Sequence, residues 1–206
     1  MIIAVDGPTA SGKGTIAKAL AAHYGLPHLD TGLLYRAVGR QVFLDGGDPD
    51  DPGDALAATS FPESLLGDEE LRSEDTGGLA SRVSVHPAVR AALLERQQAF
   101  ANQPGGAVLD GRDIATVIAP HAEARLFVTA SVASRARRRF LEMQKRGETV
   151  TLAEIENDLA ERDERDRTRV EAPLRQAEGA MLLDTSGMTP AEAIAAAIAL
   201  VERMTR

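Results

Sequence analysis

The sequence predicts an α/β domain with a doubly wound, five-stranded parallel sheet. Five short, mainly apolar segments begin at Ile2, Leu26, Gly106, Ala124 and Ala180, and stretches with apolar residues at helical spacing separate them. Strands that alternate with helices form parallel sheets with right-handed crossovers. The chain has 206 residues and is 44% hydrophobic, which is enough for one such core.

The first strand, at residues 2–5, leads into a glycine-rich loop. Gly7, Gly12 and Lys13 have the spacing G-x-x-x-x-G-K of a phosphate-binding loop, or P-loop. The glycines let successive N–H groups point into one concavity, and the dipole of the helix that begins near Lys13 attracts an anion. We expect Lys13 to reach the β- and γ-phosphates of a nucleoside triphosphate. The alternative is a glycine-rich turn that binds nothing.

This loop departs from the commonest P-loop at one position. Gly14 stands where Ser or Thr usually offers a hydroxyl to Mg²⁺, and the hydroxyl comes one residue later, at Thr15. Thr15 is therefore the candidate Mg²⁺ contact, directly or through water.

After the loop, the sequence predicts a helix, a second strand and another helix. The first helix covers residues 13–24 and stops at Gly25, the strand covers residues 26–30, and Thr31 is placed to cap the next helix. Residues 45–54 contain three glycines and two prolines, which predicts irregular structure.

The next segment, residues 48–78, is predicted to be a small mobile insertion. It is acidic, Arg72 is its only basic residue, and it shows no strong apolar periodicity. Only residues 79–85 are expected to resume a helical turn or two.

The second half repeats the alternation of strands and helices, with clear helix signals. Pro87 fits the first turn of a helix that runs to Asn102, and Ser131 is placed to cap a long helix that ends at Gly147. Three further strands are predicted at 106–109, 124–130 and 180–184. A capping box at Thr151 and Glu154 predicts a helix through Arg169. A closing helix begins at Thr189 and Pro190 and is predicted to bury Ile194, Ile198 and Val201.

Composition excludes several classes of protein. The formal net charge is −8, which argues against a general nucleic-acid-binding surface. The chain has no cysteine, so disulfides, thiol catalysis and zinc–thiolate sites are excluded. No apolar run approaches the length of a membrane span and no signal peptide is apparent, so we expect a cytoplasmic protein.

The basic residues are concentrated in one segment. Nine arginines lie between Arg135 and Arg169, whereas the whole chain has three lysines. Arginine captures phosphate with two parallel hydrogen bonds, so we interpret the segment as anion-binding. The alternative is a solvated charged face.

Two arginine groups in that segment predict a lid. Arg162, Arg165, Asp166 and Arg169 have the spacing i, i+3, i+4 and i+7, which places them on one side of one helix. The arginines at 137–139 precede them across a glycine turn. Such a pair of helices would close over the transferring phosphates and exclude water. The alternative is that the arginines only form ion pairs within their own helix.

Acidic and basic residues also follow the third strand, at the edge where parallel sheets bind ligands. There, Asp110 is placed to orient Mg²⁺-bound water, Arg112 to hold a phosphate and Asp113 to accept a hydrogen bond from a base amine. The structural alternative is an Asp-Gly turn followed by a helix cap at Asp113.

Four motifs together resemble those of the bacterial cytidylate kinases, which belong to the P-loop nucleoside monophosphate kinases. The motifs are Gly-Pro-Thr-Ala-Ser-Gly-Lys-Gly-Thr (7–15), Leu-Asp-Thr-Gly-Leu-Leu-Tyr-Arg (29–36), Asp-Gly-Arg-Asp (110–113) and Arg-Asp-Glu-Arg-Asp-Arg-Thr-Arg (162–169). The resemblance implies transfer of the γ-phosphoryl group of ATP to CMP or dCMP, with Mg²⁺. We expect a monomer that binds neither nucleic acid nor membrane.

The resemblance also implies roles for individual residues. ATP would bind to Gly7, Pro8, Thr9, Ala10, Ser11, Gly12, Lys13, Gly14 and Thr15. CMP would contact Tyr35, Arg36, Arg112 and Arg169 through its phosphate, Thr31, Arg162 and Asp166 through its sugar, and Ser81, Arg90 and Asp113 through its base. The catalytic set would be Lys13, Asp110, Arg112, Arg139 and Arg162.

The predicted organisation is one P-loop kinase domain. Its core comprises residues 1–47, 79–134 and 170–206, a reduced nucleotide-monophosphate-binding insertion comprises residues 48–78, and the lid comprises residues 135–169. The insertion is shorter than is common in the family. Two alternatives remain at this point: another small P-loop kinase, for a different monophosphate or a small hydroxylated metabolite, and a nucleotide-dependent switch. No Asn-Lys-x-Asp motif supports the switch.

Overall fold

The computed structural model describes residues 1–206 and contains a five-stranded, all-parallel sheet. The strands are β1 (Ile2–Asp6), β2 (His28–Asp30), β3 (Ala107–Gly111), β4 (Ala124–Thr129) and β5 (Met181–Asp184). Their order across the sheet is β2-β3-β1-β4-β5. The predicted α/β class is confirmed.

Strand β1 lies at the centre of the sheet, and all five of its residues are buried. Ile2 is opposite Ala107 of β3, and Ile3 is opposite Ala124 of β4. Since the strand order reverses at β1, its carboxyl end is the switch point where open α/β sheets bind ligands. The P-loop begins at that end.

The eight α-helices are α1 (Lys13–Tyr24), α2 (Thr31–Leu44), α3 (Pro52–Ala57), α4 (Glu74–Val83), α5 (Pro87–Ala101), α6 (Val132–Lys145), α7 (Leu152–Thr168) and α8 (Pro190–Met204). Two predicted start signals are confirmed: Ser131 caps α6, and Thr151 with Glu154 forms a capping box at α7. None of the eight combines the length and the apolar character needed to cross a membrane.

The chain divides into two compact units, Met1–Leu29 with Ala101–Arg206, and Asp30–Phe100. The first unit contains the core around β1, to which α8 contributes Val201 as predicted. Ile194 and Ile198 are only partly buried, contrary to the prediction, because the face of α8 toward the core carries alanines. The predicted limits of core, insertion and lid stay a prediction.

The Asp30–Phe100 unit is built around α2, which packs against α4. Single turns of 3₁₀-helix lie between α3 and α4, and Phe61, Leu65 and Leu71 from these turns join the apolar residues of α2. The prediction of irregular structure at residues 45–54 holds through Asp51 and is wrong from Pro52, where α3 begins. The predicted helical turn from residue 79 begins earlier, because α4 starts at Glu74. Asp51 caps α3 and Ser73 caps α4. Helix α3 buries only Ala55, and the buried face of α4 includes Thr76 and Gly77, so the apolar periodicity of both helices is weak.

Two predicted helix ends also differ from the structure. Asp30 occupies the N-cap position of α2, so Thr31 begins the helix and does not cap it. Helix α7 ends at Thr168, and Arg169 has an extended backbone with φ −58° and ψ 141°. Arg169 is therefore outside the helical stripe on which the sequence placed it.

Candidate active site

The P-loop joins β1 to α1 and leaves the start of that helix exposed to a ligand. Gly12 occupies the N-cap with φ 89°, a left-handed conformation that favours glycine. No side chain caps α1 and its first turn holds no acidic residue, so the first N–H groups and the helix dipole are directed at any anion bound there. A side chain at Gly7 would begin 2.0 Å from the carbonyl oxygen of Val128, so only glycine fits.

The base of the P-loop is held by residues that follow β5 and lie on α6. The Thr185 hydroxyl donates to the carbonyl oxygen of Ser11 at 2.9 Å, and Arg138 Nη1 donates to Thr185 Oγ1 at 3.1 Å. The Ser11 hydroxyl is buried and makes no hydrogen bond. The contact of Ser11 with ATP stays a prediction, and its backbone N–H is the group that a P-loop offers to phosphate.

Arg112 connects the P-loop to α7. Its Nη2 donates to Thr9 Oγ1 and its Nε donates to Asp166 Oδ2, both at 2.6 Å. Burial alone would raise the pKa of Asp166, but the charge and hydrogen bond of Arg112 outweigh it, and Arg169 and Lys13 add to the effect. The pKa of Asp166 is consequently below its ordinary value, and three cations surround one carboxylate.

Arg169 lies beside two buried carboxylates. Its Nη1 is 3.8 Å from Asp166 Oδ1 and its Nη2 is 4.0 Å from Asp113 Oδ1. The chain folds back after α7 to place it there: Arg169 Nε donates to the carbonyl oxygen of Ala172, and Leu174 N donates to that of Asp166. Asp113, Asp166 and Arg169, which the family resemblance assigns to the CMP site, thus lie close together.

Asp110, at the end of β3, has its two carboxylate oxygens in different surroundings. His28 Nε2 lies 2.7 Å from Asp110 Oδ1. Asp110 Oδ2 faces the start of α1, where a Cβ atom on Gly14 would lie 3.6 Å from it. The carboxylate therefore lies next to the P-loop, as expected for a residue that acts on the nucleotide phosphates or their metal.

Asp6, at the end of β1, holds the segment that follows Asp113. Its Oδ1 accepts from Ile114 N and its Oδ2 from Ala115 N, both at 2.8 Å. Burial raises the pKa of Asp6 to about 7, although these two N–H groups and Arg112 oppose the shift. A buried carboxylate that bonds to backbone in this way fixes the position of the loop that carries Arg112 and Asp113.

We expect the Asp6→Asn variant to lose the component of stability that changes with pH. Folded Asp6 holds its proton up to about pH 7, whereas unfolded Asp6 releases it near the ordinary value of 3.8. The contribution is therefore present in full below the unfolded value and is lost as the pH rises through about 7. Urea unfolding from about pH 5 to about pH 8 should show wild type losing roughly 2–3 kcal/mol relative to the variant. Parallel profiles would contradict the raised pKa.

Helices α6 and α7, which carry most of the predicted lid, are joined by an ion pair and an apolar cluster. Arg135 is only 2% exposed and pairs with Asp163, with Nη2 at 2.5 Å from Oδ2. Its Nη1 also donates to the carbonyl oxygen of Thr9 in the P-loop at 3.1 Å. The cluster consists of Ala136, Met143, Ile155 and Leu159.

The two other arginines predicted to be catalytic have acidic neighbours on their own helices. Arg139 Nη1 donates to Glu142 Oε2 at 2.9 Å, and Arg162 Nε is 3.0 Å from Asp158 Oδ2. The acidic partners are 60% and 48% exposed, whereas the side chains of Arg139 and Arg162 are only 15% and 7% exposed.

In the Asp30–Phe100 unit, the predicted CMP residues form two groups. The guanidinium of Arg90 lies 5.4 Å from the ring centroid of Tyr35, and its Nη1 donates to the carbonyl oxygen of Ser84. Arg36 Nη1 donates to the carbonyl oxygens of Leu71 and Ser73, which ties α2 to the start of α4. Thr31 is buried and Ser81 lies near the end of α4.

Comparison with known proteins decides the family. A model of the cytidylate kinase family matches residues 3–203. The chain belongs to the cytidylate kinase family. It is 56% identical over 202 residues to the cytidylate kinase of Xanthobacter autotrophicus, covering 98% of this chain and 97% of that protein. It is 54% identical over 203 residues to the cytidylate kinase of Rhodopseudomonas palustris strain TIE-1, covering 98% and 96%.

A solved structure supports the fold alone. An uncharacterized protein from Eubacterium ventriosum aligns with a TM-score of 0.57 and 15% sequence identity, over 98% of both chains. Membership of the cytidylate kinase family makes the chain an enzyme, a kinase. It does not favour the two alternatives, a kinase for another small substrate and a nucleotide-dependent switch.

The site also fits the Mg²⁺ that ATP-dependent kinases of this kind generally need. Thr15 and Asp110 are the oxygen donors near the start of α1. No group of three or more His, Asp or Glu side chains could hold a metal ion by itself. Mg²⁺ usually keeps several waters and binds one or two protein oxygens plus substrate phosphates, so these residues fit a metal ion that arrives with the nucleotide.

Sequence reasoning missed four residues that the fold places at this site. His28 was assigned no role, Thr185 was not singled out, and Arg135 and Arg138 were considered only as members of the arginine-rich segment. Thr185 could have been found, since it directly follows β5 at the same sheet edge as Asp110. No sequence signal indicates the partner of His28.

Proposed function

We propose that this member of the cytidylate kinase family transfers the γ-phosphoryl group of ATP to CMP or dCMP, forming ADP and CDP or dCDP. The proposal rests on two hydrogen bonds that Arg112 donates, one to Thr9 in the P-loop and one to Asp166 on α7. Arg112 thereby links the P-loop, which would bind the donor phosphates, to Asp166. The charges of Lys13 and Arg169 also act on that carboxylate. Two negatively charged substrates need such a concentration of fixed positive charge.

The reaction needs positioning and charge neutralisation more than acid–base chemistry. The attacking atom is a phosphate oxygen of the monophosphate, which is already ionised at neutral pH, so no side chain has to remove a proton from it. The transferring group carries its charge on three equatorial oxygens in a loose transition state. Lys13, Arg112 and the lid arginines Arg139 and Arg162 would stabilise that charge.

The roles in substrate binding follow the family resemblance. Gly7 to Thr15 would hold ATP through backbone N–H groups and Lys13. The residues that would hold the monophosphate are Arg112, Asp113, Arg162, Asp166 and Arg169 in the unit with the sheet, and Thr31, Tyr35, Arg36, Ser81 and Arg90 in the Asp30–Phe100 unit. The guanidinium of Arg90 against the Tyr35 ring and the contacts of Arg169 with Asp113 and Asp166 support these assignments.

Three further attributes belong to the proposal. Thr15, directly or through water, and Asp110 would hold the Mg²⁺, which when bound neutralises phosphate charge. The protein would act in the cytoplasm, where disulfides are rare, in keeping with a chain that has no cysteine. It would act as a monomer without nucleic acid, in keeping with its net charge of −8.

A coupled assay of ADP release tests the reaction. CMP, dCMP, UMP, AMP, GMP and shikimate are compared side by side at saturating ATP and Mg²⁺. We expect kcat/KM to be highest for CMP and dCMP. A higher value for a purine monophosphate or for shikimate would contradict the proposed substrate and favour another small P-loop kinase.

The Asp113→Asn variant tests how the base is recognised. Cytosine presents an amine donor beside a ring-nitrogen acceptor, whereas uracil presents a carbonyl and an N–H in the same places. Asp113 is buried and would accept a hydrogen bond from the cytosine amine. The amide of Asn would in addition donate a hydrogen bond to the uracil carbonyl. We expect the variant to lose most CMP activity and to narrow the CMP/UMP ratio of kcat/KM by roughly tenfold or more.

The matched control is Asp68→Asn, which removes another carboxylate that faces an arginine, with Arg40 Nε at 3.4 Å. It should leave the ratio unchanged. An unchanged CMP/UMP ratio in Asp113→Asn would show that Asp113 does not read the base.

A further inference from the structure

His28 and Asp110 form a contact between neighbouring strands that the proposed function does not use. His28 lies on β2 at the edge of the sheet, and Asp110 lies on the adjacent β3. The distance from His28 Nε2 to Asp110 Oδ1 is 2.7 Å, and the two side chains are only 16% and 3% exposed. A hydrogen bond this short between poorly hydrated groups holds both side chains in one orientation.

The two oxygens of Asp110 consequently have separate tasks. With Oδ1 occupied by His28, rotation of the carboxylate about its last bond is restricted. The other oxygen, Oδ2, faces Gly14 at the start of α1, one residue before Thr15.

We propose that His28 is a positioning residue, which holds Asp110 so that its Oδ2 faces the Mg²⁺–nucleotide at the start of α1. This inference rests on the proposed function, because it assigns His28 a role through Asp110. His28 Nε2 donates the hydrogen bond, and the imidazole itself touches neither substrate. Residues that orient a metal-site carboxylate in this way typically account for tenfold or more in metal affinity or activity.

A role for His28 as a general base is not needed, since the attacking phosphate oxygen is already ionised. A purely structural role is the real alternative, because a hydrogen bond between two strands also stabilises the sheet. The two roles differ in what is lost when the donor is removed: the structural role predicts lower stability, and the positioning role predicts weaker metal binding in a protein that is still folded.

Three single variants separate these roles. His28→Leu keeps much of the volume and removes the donor. His28→Gln keeps an N–H at about the position of Nε2. His121→Leu is the matched control, because His121 is exposed and bonds to Asn102 at 3.0 Å instead of to the site.

Metal binding is measured apart from turnover. Mn²⁺ is titrated into each protein with the non-hydrolysable ATP analogue AMP-PNP, and the relaxation rate of water protons reports bound Mn²⁺. We expect His28→Leu to weaken Mn²⁺ binding in this complex by about tenfold and to lower kcat by a similar factor. The KM for CMP should stay within about a factor of two, and His28→Gln should stay within about threefold of wild type. His121→Leu should match wild type.

The thermal midpoint of each variant and an Asp110→Ala background complete the test. In Asp110→Ala, the further change His28→Leu should have no additional effect on kcat or on Mn²⁺ binding, since the residue acts through Asp110. Wild-type Mn²⁺ affinity in a folded His28→Leu protein would overturn the inference. So would additive losses in the double variant, or a loss that His28→Gln does not rescue. If Asp110→Ala itself keeps wild-type kcat, the proposed function of Asp110 fails first, and this outcome is distinguishable from the others.

Discussion

Lys13→Ala should lower kcat by at least about a hundredfold while the protein stays folded. Lys13 is the first residue of α1, on a helix start that no side chain caps, and its charge contributes to the lowered pKa of Asp166. Removing one preorganised cation from the β- and γ-phosphates should raise the barrier by about 3 kcal/mol or more. Steady-state kinetics and circular dichroism measure the two halves of the prediction.

Lys18→Ala is the matched control for this variant. Lys18 lies on the same helix, five residues further on, and is exposed. It should keep wild-type kcat. A folded Lys13→Ala protein within a few-fold of wild type would remove the P-loop lysine from the mechanism.

Arg112→Lys should be nearly as damaging as Arg112→Gln, and both should lower kcat/KM by about a hundredfold or more. Arg112 donates in two directions, from Nη2 to Thr9 and from Nε to Asp166. A lysine keeps the charge but cannot make both bonds from one rigid plane. The glutamine variant also leaves the buried Asp166 without its nearest cation, which should destabilise the local structure around that carboxylate. Kinetics for ATP and CMP, with thermal unfolding, measure the effect.

Arg96→Gln is the control for Arg112. Arg96 also forms a close pair, with Nη1 at 2.5 Å from Glu63 Oε1, but its side chain is 40% exposed and it lies far along α5. An exposed pair of this kind contributes little, so the variant should behave as wild type. If Arg112→Lys keeps most of the activity, the charge of Arg112 and not its pair of hydrogen bonds accounts for its role.

Features that depend on neighbouring residues could be predicted from the amino-acid sequence. The P-loop, the capping box at Thr151 and Glu154, and the strand that precedes Asp110 are each specified within about a dozen residues. Their bonds and dihedral angles are local, so composition and spacing predict them directly. The position of Asp110 was predictable in the same way, since strand ends in a parallel sheet meet at one edge.

Features that depend on distant partners could not be predicted, because the folded chain brings those partners together. The helices of residues 52–83 gave only a weak periodic signal because few of their buried residues are large and apolar, and packing against α2 buries them. Arg169 leaves α7 because the chain folds back onto Ala172 and Asp166. The bond from Thr185 to Ser11 spans 174 positions and that from His28 to Asp110 spans 82. Spacing along the chain carries no information about pairs so far apart, since strand order and helix packing bring them together.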